Sequence, residues 1–458
     1  MSLVDPNDRR PVHFMGIAGA GMSGLAELLV RRGATVTGCD ANISGAADLR
    51  RLGVRLSEGH DPSHVEGARA VVVTSAVPKT HPELERARAL GIPVIRRAEA
   101  LGEAIAGGRV VAIAGTHGKT TTTVMTTEAL RGAKLEPTGI AGGRVGLWNG
   151  NLSEGADRLF VVEADEYDRS FLALTPEIAV VTNIEADHLD IYRDLAEIRD
   201  TFAVFVRPAR LIILCADDEG ANTLRTPGSA EVVRYGIASR DARLRATNLA
   251  LEPTGSRFGV EYDGDALGEI ALAVPGRHNV LNALAAISTG VVLGAKVPDL
   301  QRGLERFAGV ERRFQRLGEH RGVAIVDDYA HNPTKVRAAI ETARVAFPGR
   351  RIVAAFQPHL FTRTRDFARE FGESLATADV VYLTEIYPSR EQPLPGVTTA
   401  LVEDAVRAAG GSVAWRGDRG SLAGALGSAV RDGDVVLTIG AGDITRTGPE
   451  LIALLGGR

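Results

Sequence analysis

An apolar run, Val110–Ile113, opens into Ala114-Gly115-Thr116-His117-Gly118-Lys119-Thr120-Thr121-Thr122, and this junction constrains the chain more than any other feature. A buried strand, a glycine-rich loop and a helix in that order form a unit of a parallel α/β sheet. In such a unit backbone N–H groups and the helix N-terminus hold phosphate, Lys119 adds a full positive charge, and the Thr120 hydroxyl suits Mg²⁺. The general pattern has four residues between its glycines. Here only Thr116 and His117 separate Gly115 from Gly118. The shortened loop narrows the choice of family.

Strand-like and helix-like segments alternate along the whole chain. Val12–Met15, Thr35–Gly38, Ala70–Thr74 and Pro93–Ile95 read as strands, with helices around Gly24–Arg32, Ala46–Leu52 and Pro82–Leu90. After a small-residue linker at Ala104–Gly108, strands are expected at Val110–Ala114, Leu159–Glu163, Ile178–Thr182 and Leu211–Leu214. An antiparallel addition near Ala242–Glu269 and a helix from His278 to about Leu293 follow. Beyond Arg312-Arg313-Phe314, strands fall at Val323–Val326, Arg351–Phe356, Val380–Leu383 and Val435–Ile439. The 458 residues suit three α/β domains of roughly 150 residues each, with boundaries expected at 1–106, 107–316 and 317–458.

Composition removes several function classes. A net charge of −4 leaves no basic footprint for nucleic acid. No apolar run approaches the ~20 residues of a membrane span, and Met1–Pro6 lacks the pattern of a signal peptide. The two cysteines, Cys39 and Cys215, lie in apolar strands and read as buried thiols. A cytoplasmic protein is expected. Arginine outnumbers lysine 48 to 5, yet the phosphate loop keeps a lysine, where a slim point charge fits better than a planar guanidinium.

Chemistry-bearing residues gather at strand ends. Gly19-Ala20-Gly21-Met22-Ser23-Gly24 follows the first strand, and Asp40 closes the second. This pattern fits an NAD cofactor, the diphosphate of another nucleotide such as a UDP-sugar, or a turn needed only for packing. Glu163-Ala164-Asp165-Glu166-Tyr167-Asp168 and Glu185-Ala186-Asp187-His188-Leu189-Asp190 sit past two middle strands, with Glu163 and His188 a candidate metal pair. Asn279 and Asn282 share a helix face and could read adenine, receive phosphate, or merely cap the helix. Arg313 stands at the second junction, where it could reach phosphates across a cleft. Asp328, Tyr329 and His331 end one C-terminal strand, while His359 and Arg363 follow the next.

Assembled, these motifs resemble the Mur ligases over nearly the whole length. The markers are His13–Ser23, Gly-Thr-His-Gly-Lys-Thr-Thr-Thr, Glu-Ala-Asp-Glu, Ala-Asp-His-Leu-Asp, His-Asn-x-x-Asn, Arg-Arg-Phe, Asp-Asp-Tyr-Ala-His-Asn-Pro, Gln-Pro-His with Thr-Arg-Thr-Arg, and Gly440–Ile444. The resemblance implies a Rossmann-like N-terminal domain for a UDP substrate, a central phosphate-loop ATPase sheet, and a Rossmann-like C-terminal domain closing over ATP and an amino acid. It implies an ADP-forming ligase that activates the UDP-N-acetylmuramate carboxylate as an acyl phosphate and couples it to L-alanine, in peptidoglycan precursor synthesis. ATP is then a substrate and Mg²⁺ or Mn²⁺ the cofactor, in a monomer or weak homodimer. ATP would be held by Gly115, Thr116, His117, Gly118, Lys119, Thr120, Thr121, Asn279, Asn282, Arg313 and Asp328. Thr120, Glu163 and His188 would hold metal, with Lys119, Glu163, His188 and Arg313 carrying the chemistry. The UDP moiety would meet Gly16, Ala18, Gly19, Gly21, Met22, Ser23, Asp40 and Ser75, and the amino acid Tyr329, His331, His359 and Arg363. Several family members carry a carbamylated lysine after the histidine motif. No lysine stands between His188 and Gly220, which fits the alanine-adding type. A recycling ligase that attaches murein tripeptide is the alternative within the family, sharing Glu-Ala-Asp-Glu-Tyr. An NAD(P) oxidoreductase is the alternative outside it. Tyr167-Asp168-Arg169 departs from the Ser-Asp-Gly common in the alanine-adding type.

Overall fold

A computed structural model describes residues 3–457 except Pro6, Ser75 and Arg390. Three sheets organise the chain. The first is wholly parallel, in the spatial order Arg55–Glu58, Val36–Asp40, Val12–Met15, Ala70–Val73, Val94–Arg96. That is the order of a Rossmann-like half, and the glycine loop leaves its central strand into the helix Ala20–Arg31. The helix starts four residues before the expected Gly24, because the loop's small residues already take helical form. Its buried face joins a core continuous with the middle of the protein. There Ser23 Oγ lies 3.4 Å from Asn151 Oδ1, and Arg31 pairs with Glu154 at 2.7 Å.

The second sheet has ten strands. Its parallel part runs Glu231–Gly236, Leu211–Cys215, Ile178–Val181, Arg109–Ala114, Leu159–Glu163, Thr138–Val145. The antiparallel addition comprises Leu244–Glu252, Gly255–Tyr262 and Asp265–Leu272 on one edge; Gly150–Ser153 closes the other. The phosphate-loop strand is central. Its neighbours, Leu159–Glu163 and Ile178–Val181, are consecutive in the chain yet lie on opposite sides of it. The order therefore switches at the loop, where open α/β sheets bind ligands.

Helix Lys119–Gly132 follows the loop despite its run of poorly helical threonines. Thr123 and Thr127 donate their hydroxyls to the carbonyls four residues back, at 2.9 and 2.8 Å, so burial leaves these groups satisfied. The helix is buried along nearly its whole length. Helices Arg277–Val292 and Val297–Leu304 cover it, the latter so closely that a Cβ on Gly303 would lie 1.9 Å from Glu128 O.

The third sheet runs Gln315–His320, Val323–Asp328, Asp434–Ile439, Arg351–Phe356, Val380–Thr384, Val413–Gly417, parallel except for its first strand. The junction expected after Arg316 thus falls inside a strand, and the chain turns earlier, at Arg312 and Phe314 with φ of 60° and 47°. The linker expected at Ala104–Gly108 is shorter, since Ala104 and Ile105 end the helix Arg97–Ile105. Both cysteines are buried and free. Among the described residues no helix is long and apolar enough to cross a membrane.

Candidate active site

The phosphate loop is shaped by two glycines that no other residue could replace without movement. Gly115 has φ 140°, and a Cβ there would sit 2.0 Å from Thr182 Oγ1. Gly118 has φ 76°, and its Cβ would meet Asn282 Oδ1 at 2.5 Å. The next strand end pins the loop: Thr182 Oγ1 donates to His117 O at 2.6 Å, and His117 N donates to Asn183 Oδ1 at 2.7 Å. Lys119 starts the helix and turns its Nζ back to Gly115 O at 2.8 Å and Glu166 Oε2 at 2.6 Å. Burial opposes its charge, but Glu166, Asp165 and Glu163 outweigh burial and keep the ammonium protonated. Glu166 is itself buried; Lys119 and His188 hold its carboxyl down to about 2 against that burial.

Thr120 Oγ1 donates to Glu163 Oε1 at 3.1 Å, and Gly142 N donates to Oε2 at 2.6 Å. His188 holds φ 54°, fixed by its N–H on Asp187 Oδ1 (2.8 Å) and by its carbonyl accepting from Ile191 and Tyr192. Its Nε2 faces Glu166 Oε1 at 3.5 Å. Glu163 and His188 therefore line one cavity, each engaged with a different neighbour. Asn279 and Asn282 lie on one buried helix face, 3.4 Å apart through Nδ2 and Oδ1, and Asn282 also accepts from Thr122 at 3.1 Å. They reach the same cavity, of about 1120 Å³.

The third sheet forms the opposite wall. Arg313 lies over the Tyr329 ring, 5.1 Å from its centroid. Asp328 accepts Phe314 N and Ala330 N at 2.7 Å each, and burial raises its pKa. A ribose hydroxyl would have to share oxygens that already accept backbone bonds. Arg363 is 6% exposed, donates from Nη2 to Asp187 Oδ1 at 2.8 Å, and touches His359 Nδ1 at 3.3 Å. His359 stacks on Tyr387 at 5.7 Å, and Tyr329 packs edge-on to His331 at 5.2 Å. Asn332 Nδ2 reaches Asp187 Oδ2 at 3.4 Å and Thr334 Oγ1 donates to Glu185 at 2.8 Å, so the third sheet is docked on the second.

At the first sheet, Asp40 Oδ2 accepts Ala18 N at 3.0 Å and so braces the glycine loop from within. Gly16 takes φ 80°; Gly19 caps the helix. Met22 is buried in the core, and Ser23 Oγ donates to Ala20 O at 3.1 Å, so their side chains serve packing here. Ser75 lies outside the described residues. Ala20 borders the large cavity, which links this loop to the phosphate loop.

Three family models match successive stretches: the Mur ligase family catalytic domain over 11–109, the Mur ligase middle domain over 113–290, and the Mur ligase glutamate ligase domain over 312–442. The chain belongs to the Mur ligase family. A curated relative from Kineococcus radiotolerans, named UDP-N-acetylmuramate–L-alanine ligase, is 48% identical over 98% of this chain and 96% of its own. One of the same name from Rubrobacter xylanophilus is 46% identical over 97% and 100%. Among solved structures, UDP-N-acetylmuramate-alanine ligase from Thermotoga maritima is 30% identical with a TM-score of 0.83, covering 98% of this chain and 99% of that one. A murein peptide ligase from Psychrobacter arcticus is 25% identical with a TM-score of 0.73, covering 98% and 99%.

Within this Mur ligase fold the sequence reading missed three site residues. Lys335 extends from the helix after Asn332 to within 4.0 Å of Asp187 and 3.4 Å of His331 Nε2. Burial lowers it to about 8 despite Asp187. Burial, with the Lys335 and Arg363 charges, keeps His331 neutral. Lysine economy was the available signal: two of five lysines in the chain face this cavity. Arg97 was missed as well; its guanidinium lies 3.1 Å from where a Cβ of Gly21 would be, above the N-terminal glycine loop. Asp187 carries the docking contact, a role its motif alone did not suggest. Arg169, where the alanine-adding type commonly has glycine, is held at φ 55° and pairs with Glu197.

Proposed function

We propose that the protein joins L-alanine to the carboxylate of UDP-N-acetylmuramate while cleaving ATP to ADP and phosphate, a step of peptidoglycan precursor synthesis in the cytoplasm. The carrying observation is the convergence on one cavity of a cationic phosphate loop, a Thr–Glu oxygen pair and a docked, arginine-bearing third sheet, in a chain whose close relatives share one name. An NAD(P) oxidoreductase would leave these features without a task.

A carboxylate resists attack by an amine because its leaving group would be oxide. Phosphorylation replaces that with phosphate. One carboxylate oxygen bonds to the γ-phosphorus as the bond to ADP breaks; the amine nitrogen then bonds to the carbonyl carbon, loses a proton, and the C–O bond to phosphate breaks. The site's task is to hold anions together and neutralise them. Lys119 suits the β/γ-phosphates and Arg313 the γ-phosphate from the opposite wall. Asn279 and Asn282 suit the adenine side, and Asp328 the ribose. Gly16, Ala18, Gly19 and Gly21, with Arg97 above them, suit the UDP diphosphate. Tyr329, His331, His359 and Arg363 surround the place for alanine, with Arg363 suited to its carboxylate.

The residues fit a hard divalent cation. Thr120 Oγ1 and Glu163 Oε1 stand 3.1 Å apart, close to the ~3 Å edge of an octahedron with Mg–O bonds near 2.1 Å. Thr120 and Glu163 would hold Mg²⁺ or Mn²⁺, with His188 at a second position. When bound, the cation supplies charge neutralisation on the phosphates. We assign residues 1–106 to the UDP substrate, 107 to the Arg313-Phe314 turn to ATP, and the remainder to the amino acid and closure, in a monomer or weak homodimer.

Phosphate release with UDP-N-acetylmuramate, ATP and either L-alanine or murein tripeptide tests the reading. Release that depends on L-alanine supports it. Release with tripeptide alone would transfer the assignment to the recycling type, which shares Glu163–Tyr167 with this chain.

A further inference from the structure

Four of the ten histidines, one of the two cysteines and a fully buried glutamate gather in the first sheet, outside the cavity described above. His13 stands on the central strand Val12–Met15, Cys39 on Val36–Asp40, His64 in the turn Pro62–Val65, and Glu83 in the first turn of helix Pro82–Ala89. One donor atom from each of these four lies within 4.8 Å of the others. Glu83, 0% exposed, is the hub: Oε1 meets His64 Nδ1 at 2.9 Å and Cys39 Sγ at 3.3 Å, and Oε2 meets His60 Nδ1 at 3.2 Å. Tetrahedral zinc with S, N and O ligands at about 2.0–2.3 Å requires donors roughly 3.3–3.8 Å apart. Several donors already stand near that spacing.

His13 provides an independent observation. It is 2% exposed and its Nδ1 is 3.0 Å from the Thr37 hydroxyl, which fixes the ring. Its Nε2 is buried without any hydrogen-bond partner, and His13 is one of the four residues of the donor group. A buried orphan nitrogen costs about 1–3 kcal/mol, whereas an imidazole oriented by an outer hydrogen bond is the usual form of a metal ligand. The donor set of one thiol, two imidazoles and one carboxylate is too soft for Mg²⁺ and suits zinc-class ions.

We infer that His13, Cys39, His64 and Glu83 form a binding site for a zinc-class transition-metal ion that ties the first two strands of the N-terminal sheet to helix Pro82–Ala89. His60 and His81 flank it, with His60 on the solvent side. Without a metal, burial and the Glu83 charge keep the Cys39 thiol protonated. On binding, the ion takes the thiolate and the proton leaves to solvent. The site lies behind the glycine loop, whose Gly16 and Ile17 amides both donate to Cys39 O. It is independent of the ligase assignment.

The test uses the full chain, stripped with chelator, dialysed, and titrated with Co²⁺ as a coloured zinc surrogate in excess Mg²⁺. The inference expects a thiolate-to-cobalt charge-transfer band saturating at one ion per chain, displaced by Zn²⁺ and accompanied by a rise in melting temperature. With only two cysteines present, Cys215→Ser should retain the band and Cys39→Ser should lose it. No charge-transfer band in the wild-type chain, or a band lost in Cys215→Ser, would overturn the inference. Those two readings need no variant of the cluster itself, so a poorly folding Cys39→Ser cannot obscure the result.

Discussion

Gly118→Ala tests how the phosphate loop is built. The added Cβ would sit 2.5 Å from Asn282 Oδ1 on a backbone with φ 76°. Placing a non-glycine residue in that conformation costs about 1–2 kcal/mol. Moving the Asn282 amide to make room breaks its bond from Thr122, at 3.1 Å, for roughly 1 kcal/mol more. The sum, about 2–3 kcal/mol, appears as lost stability if the loop holds its shape. If the loop yields instead, it appears as roughly 30- to 150-fold weaker nucleotide binding. Urea unfolding and calorimetric titration with ADP and Mg²⁺ read the two together. Gly107→Ala, where nothing lies within 4 Å, is the control and should change stability by less than about 0.5 kcal/mol. Gly118→Ala/Asn282→Ala should regain the steric part but not the backbone part. A Gly118→Ala protein with unchanged stability and ADP affinity would show that neither the left-handed backbone nor the Asn282 contact shapes the loop.

Lys119→Ala should lower turnover at least 100-fold while UDP-substrate affinity by calorimetry stays within about twofold, since the glycine loop is on another sheet; equal loss of both would count against that division. The same variant removes a pH dependence. Glu166, held near 2 when folded against about 4.3 unfolded, stabilises the wild type above the unfolded value and loses that as pH falls towards 2, so the variant's unfolding midpoint should fall less steeply over that window. Lys335 acts in an alkaline window: held near 8 when folded and about 10.4 unfolded, its charged form destabilises the fold, so stability rises as pH climbs between those values. Lys335→Met should flatten that rise in urea midpoints, and parallel wild-type and variant curves would contradict the assignment. Arg363→Ala leaves the Asp187 charge buried with the His188 N–H, Asn332 and the more distant Lys335, at a cost of about 3 kcal/mol to docking. Small-angle scattering should show a larger radius, and Arg363→Lys should not restore it, because one ammonium cannot reach both Asp187 and His359.

Strands buried on both faces were readable because they are continuous apolar runs: Leu159–Glu163 and Arg351–Phe356 are found where expected. Thr138–Val145, with three glycines, and the polar edge strand Gln315–His320 carry no such pattern, and their pairing comes from neighbouring strands. Site chemistry followed the same division. Glycine loops and acids at strand ends stood out, because open sheets bind ligands there. Contacts between domains did not: the Asp187–Arg363 pair joins residues 176 positions apart, and nothing local marks either as the other's partner. The cluster around Glu83 was hidden for the same reason, its members scattered from residue 13 to 83, with Cys39 read only as a buried thiol and His13 only as part of the first strand's motif.

In the proposed reaction the muramate carboxylate is activated by taking the γ-phosphoryl group. UDP-N-acetylmuramate labelled with ¹⁸O in that carboxylate, turned over with ATP and L-alanine, tests it by mass analysis of the released phosphate. One labelled oxygen should move into phosphate for each amide formed. Phosphate free of label, with amide still produced, would contradict the acyl-phosphate route.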